Sequence, residues 1–195
     1  MRQSRIVSVV VVLAAAILFV PLLTAQAVIS PGSTDVFVNQ VFTLPVDIAG
    51  VSDLYAFQFD LAFDPTILQL LSVFEGGFLP SAGSTIFIPG AIDNIGGTAT
   101  ATADTLVGDI PGASGDGDLV YFTFQAIDTG ASAVSLSNEF LLDSSFNFIP
   151  FTTVDGSVTV APAPTPEPPG LSWIGCFAVA GMLLARRWRR ARRRA

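Results

Sequence analysis

The chain has 195 residues, a single cysteine (Cys176), no histidine and nine basic residues, all nine of them near its two ends. Its sixteen acids lie between Asp35 and Glu167, in a stretch without Lys, Arg or His. This argues against a nucleic-acid partner, because phosphate binding needs Lys or Arg. It also excludes intrachain disulfides, His- or Cys-ligated metal sites, and Ser-His-Asp, Cys-His or Schiff-base catalysis in that region.

In chain order, residues 1–27 read as a secretory signal peptide: Arg2 and Arg5, an apolar run from Ile6 to Val20, and the small-x-small site Ala25-Gln26-Ala27. Cleavage after Ala27 starts the mature chain at Val28. Residues 28–160 then alternate with period two, the mark of half-buried strands. Leu44, Val46 and Ile48 form one apolar face; Tyr55, Phe57, Phe59, Leu61 and Phe63 form a second, with Leu54, Ala56, Gln58, Asp60 and Ala62 on its reverse. Val120, Phe122, Phe124 and Ala126 form a third, and Val158 and Val160 close the series. The segments AGVSD, FDPT, GGFLPSAGS, DNIGG, GASGDGD and DTGAS read as turns between strands, and TILQLLSV as the place for a short helical turn. The expected fold is all-β, a sandwich whose two sheets bury their aromatic faces against each other. The stripe from Tyr55 to Phe63 is expected in that core rather than as a sugar-stacking platform.

The segment GVSDLYAFQFDLAFDPTILQLLSV (50–73), with its Asp64-Pro65 turn, resembles the early strands of cohesin-type domains. SGDGDLVYFTFQAIDTGASAVSLS (114–137) carries a similar Gly115, Gly117, Leu119 lead into a Phe122-x-Phe124 strand, and DGSVTV (155–160) a similar closing strand. The resemblance implies a jelly-roll sandwich related to carbohydrate-binding modules. It also implies a binding role, toward dockerin modules or polysaccharide, and it transfers no contact residues.

No cofactor is expected. Asp109, Asp116 and Asp118 in GDIPGASGDGDL offer oxygens of the kind Ca²⁺ takes, although their spacing is not that of an EF-hand and the stretch also reads as a surface turn. No catalytic residue is assigned. Only a two-carboxylate glycosidase survives the composition, and it requires a groove with facing acids.

Residues 161–170 form a Pro-rich linker, 171–185 an uncharged apolar run expected to be a transmembrane helix, and 186–195 a basic tail. That tail holds Arg186, Arg187, Arg189, Arg190, Arg192, Arg193 and Arg194, which orient it to the cytoplasm. Pro166-Glu167-Pro168, the apolar run and the terminal arginines together resemble the PEP-CTERM sorting signal. That resemblance implies an exosortase-type processing protease, a Gram-negative bacterial source and delivery to the cell surface or an extracellular polysaccharide matrix. The sequence therefore reads as an exported, non-enzymatic binding protein, with a structural matrix or adhesion component as the alternative.

Overall fold

A computed structural model describes residues 26–164. Eleven strands and one short 3-10 turn, Leu79–Ser81, make up this region, with no α-helix among the described residues. The strands are β1 (Ala27–Pro31), β2 (Thr34–Phe37), β3 (Val41–Ala62), β4 (Leu68–Glu75), β5 (Thr85–Ile88), β6 (Ala91–Asp93), β7 (Thr98–Leu106), β8 (Ala113–Ala126), β9 (Gly130–Asp143), β10 (Phe151–Thr153) and β11 (Gly156–Ala161). Among the described residues no helix is long and apolar enough to cross a membrane. The leader through residue 25, Pro166-Glu167-Pro168, the apolar run and the basic tail lie outside the described residues.

β3 organises the sandwich because it belongs to both sheets. Its first half pairs with β1 on one side and β8 on the other. β4 then extends β8, and β10 extends β1 in parallel, completing the back sheet. The second half of β3 pairs with β7 and β9, and β5 and β6 line the far edge of β7 to complete the front sheet. β11 joins the start of β9 and runs parallel to β2. The crossing lies at AGVSD, where Gly50 and Asp53 hold φ of 67° and 60° and the register with β8 shifts. A turn was expected there, and a continuous but kinked strand is found. Positive φ suits Gly and is tolerated by Asp, so the chain can change sheets without a loop.

The alternating faces meet as expected. Phe57, Phe59, Phe122 and Phe124 are fully buried, and Tyr55, Leu61 and Phe63 of the same stripe are buried with them. Phe59 lies 6.3 Å from Phe122 across the two sheets, and Phe63 meets Phe124 edge-on at 5.1 Å between centroids. Such pairs add directional attraction to the apolar area they bury. Leu54, assigned by alternation to the reverse face, is also buried, because the pairing of β3 with β9 slips between Leu54 and Ala56. GASGDGD, expected as a turn, lies within β8 from its second residue, Ala113, onward. In TILQLLSV only the first residues turn, with the Leu68 N–H donating to the Asp64 carbonyl at 2.9 Å; the rest is strand β4.

Candidate binding face

Register decides which side chains share the outer surface of the front sheet. Ile86 pairs with Thr105, Thr105 with Ala56, and Ala56 with Leu142, which forms one row across β5, β7, β3 and β9. A bridge from Leu142 to Phe148 lengthens that row. The next row runs Ile88, Ala103, Gln58, Phe140 over the same strands. Ile86 is 57% exposed, Ile88 52% and Phe148 78%. Ala56, Ala103, Thr105 and Gln58 sit half-buried in the middle and large apolar residues at both edges, so the face is a shallow trough with two alanines in its floor. Exposed apolar residues gathered along one face mark an interaction site more often than do isolated ones.

Polar groups fix the trough's borders. Asp60 accepts the Ala101 N–H and the Asn138 side-chain amide, each at 2.7 Å, tying β7 and β9 to β3. The loop bearing Phe146 and Phe148 is organised by Asp143, whose Oδ1 accepts the backbone N–H groups of Ser145 and Asn147 at 2.8 Å. Those bonds to Asn147 and Ser145 hold the Asp143 carboxyl below its ordinary range. Phe146 packs edge-on against Tyr55 at 5.5 Å, and the Tyr55 hydroxyl donates to the Gly108 carbonyl at 2.6 Å.

The back sheet's outer surface differs. Asp47 lies opposite Asp118, and Phe74 opposite Tyr121, whose hydroxyl donates to the Asp118 carboxylate. Burial, then hydrogen bonding and repulsion from Asp118, pushes the Asp47 carboxyl up to about 6. Asp118 is held low, by the Tyr121 hydroxyl first and Asp47 second. The arrangement is one carboxyl pair beside the exposed Phe74 ring and the half-buried Tyr121 ring.

A family model for the cohesin domain matches residues 27–160. The chain belongs to the cohesin domain family. Solved cohesins share the fold at low identity. The non-cellulosomal cohesin of the hyperthermophilic archaeon Archaeoglobus fulgidus is 19% identical, with a TM-score of 0.58 over 70% of this chain and 92% of its own. The cohesin of the Coh-OlpC–Doc435 type I cohesin–dockerin complex from Clostridium thermocellum is 14% identical, with a TM-score of 0.57 over 70% and 94%. CaCohA2 from Clostridium acetobutylicum is 20% identical, with a TM-score of 0.55 over 70% and 91%. No curated protein matches the chain.

The cohesin domain does not gather the three aspartates of GDIPGASGDGDL. Asp116 accepts the Gly50 N–H at 2.6 Å, while Asp118 turns to Tyr121 and Asp47. Among the described residues no three His, Cys, Asp or Glu side chains cluster as metal ligands. The trough itself escaped sequence reasoning. The only local signal was TIFI (85–88), whose alternation sets Ile86 and Ile88 apart from Thr85 and Phe87, and nothing local says that this face stays uncovered.

Proposed function

We propose that this cohesin domain is a non-catalytic docking module whose front trough receives a dockerin-like protein module. The observation that carries the reading is the pair of rows from Ile86 to Leu142 and from Ile88 to Phe140, a half-buried floor of mostly small side chains on four hydrogen-bonded strands, bordered by the exposed Ile86 and Ile88. A rigid sheet costs little ordering entropy on binding, and its alanine floor lets a partner's backbone approach closely. Solved relatives of the same fold were captured in complexes with dockerins. The domain has no cation of its own, so a partner of complementary charge presents Lys or Arg around an apolar centre.

The residue patterns at the two ends support an exported location for this module. The leader exports it, the arginine tail keeps the C-terminus cytoplasmic, and Pro166-Glu167-Pro168 hands it to an exosortase-type protease for delivery to a Gram-negative cell surface or its polysaccharide matrix. A second reading, direct glycan binding, is favoured by one observation on the back sheet. Phe74 and Tyr121 offer rings, and Asp47 and Asp118 offer acceptors, the combination that stacks on a sugar face while bonding its hydroxyls.

Calorimetric titration of the protein against a panel of dockerin modules tests the main reading. Saturable binding is expected, weakened at least about 30-fold by Ala103→Asp, which sets an unpaired charge in the trough, and unchanged by Phe74→Asp on the back sheet. Silence across the panel, or equal damage from both substitutions, overturns it. Binding of a glycan that Phe74→Asp abolishes transfers the function to the back sheet.

A further inference from the structure

Inside the sandwich lies a charge problem that the docking surface does not use. Asp104 projects from β7 into the core, where it is 2% exposed and sits at the register positions of Phe57 on β3 and Phe87 on β5. Its Oδ1 accepts the Thr105 N–H at 2.8 Å, whereas its Oδ2 has no hydrogen-bond partner. Beside it stands Glu75, at the end of β4 in the other sheet, whose side chain accepts the Thr85 hydroxyl. The two carboxyl groups therefore approach from opposite sheets.

Among the described residues there is no cation to neutralise them, since the sequence has no Lys, Arg or His between residues 6 and 185. The other groups packed around Asp104 carry no charge. Phe57 and Phe87 flank it at its register positions. Glu75 is the one titratable group that acts on Asp104. A divalent metal is a poor fit, because hard cations take six or more oxygens and no third carboxylate stands here.

We propose that the buried Asp104 keeps its proton and donates it in a hydrogen bond to the Glu75 carboxylate, so forming a pH-sensitive clasp joining the two sheets. Closed, the clasp gives the orphaned Oδ2 a hydrogen bond and removes the charge from the buried Asp104 carboxyl. Open, it leaves a buried Asp104 carboxylate beside the half-buried one of Glu75. Burial first, and the neighbouring Glu75 second, push the Asp104 carboxyl up to about 7. The sign follows. An acid whose pKa is higher folded than unfolded leaves the native state more protonated between the two values, so stability falls as pH rises from about 4 to about 7. Its effect falls on β7, the strand that supplies Ala103 and Thr105 to the front trough.

Thermal unfolding of the full-length protein between pH 5 and pH 8.5 tests the clasp. Asp47 titrates in part of the same window, so the reading is the difference between proteins. The wild type is expected to lose about 5 °C or more of Tm over this range beyond any loss in Asp104→Asn, whose amide is neutral at every pH. Equal slopes in the two proteins overturn the proposal. If Asp104→Asn does not fold, Glu75→Gln must lower the slope, and carbon-detected NMR of the wild-type Asp104 carboxyl must show a midpoint near neutrality. A midpoint near 4 overturns the proposal without any variant.

Discussion

Asp53 accepts the Gly112 N–H at 2.6 Å across fifty-nine positions of sequence, and its other oxygen takes the Ser144 hydroxyl at 2.7 Å. One carboxylate thus fastens two distant segments to the point where β3 changes sheets. These bonds, Ser144 first and Gly112 second, hold the Asp53 carboxyl below its ordinary value. A depressed pKa contributes stability that is present above the unfolded value, near 4, and is lost as pH falls through the folded one. Asp53→Ala is expected to cost about 1 kcal/mol after solvent screening, and to remove that acid-side loss. Asp53→Asn, which tolerates the positive φ and keeps an acceptor, should cost less. Urea unfolding at pH 7 and pH 3.5 checks both.

Phe122 lies between Phe59 and Phe124 at centroid distances of 6.3 and 6.5 Å and is fully buried. Phe122→Ala opens a cavity at the junction of the sheets and should cost about 3–5 kcal/mol. Phe74→Ala, on an exposed ring, should cost far less. Equilibrium unfolding of the two variants measures the contrast, and similar losses would contradict this packing.

The Asp47–Asp118 pair sets a separate pH dependence. With its pKa raised to about 6, Asp47 weakens the fold progressively as pH climbs from about 4 to about 6. Asp47→Asn should therefore melt ~2–4 °C above the wild type at pH 8 and level with it at pH 4. A lower Tm at pH 8 would mean that the charged pair stabilises the back sheet.

At the start of the domain, Ala27 is 3% exposed and pairs with Phe151, while the Gln26 side chain donates to the Phe151 carbonyl at 2.8 Å. A chain beginning at Val28 lacks both, so it should unfold at a lower temperature than one beginning at Gln26. Comparing the two by calorimetry, with N-terminal sequencing of the exported protein, tells whether processing after Ala27 trims the first strand.

Charge makes the docking reading sensitive to salt. A partner drawn to a domain with no cation between residues 6 and 185 should associate about tenfold more slowly when salt rises from 20 to 500 mM, since screening removes long-range attraction. Stopped-flow measurements at several salt concentrations provide the check; a flat rate would place no basic groups around the contact.

The core was legible because period-two alternation and burial are the same physical fact. Phe57, Phe59, Phe122 and Phe124 face inward as their spacing requires. Strand β7, TATATADTL, was not legible, since alternating Ala and Thr gives almost no hydropathy contrast, yet it carries both the trough floor and Asp104. Gly50 and Asp53 read as a turn because their composition is that of turns, and only the pairing partners on either side turn them into a crossing. The trough depends on register between strands far apart in sequence, as in Ile88 beside Ala103 and Gln58 beside Phe140. Local patterning carries no such information.

The most direct measurement is a hydrogen-exchange footprint of the protein with and without a bound dockerin module. Slowed exchange confined to β5, β7, the second half of β3 and β9 is the expected result. Protection of β4 and β8 around Phe74 and Tyr121, with the front strands unchanged, would contradict the assignment of the trough as the docking surface.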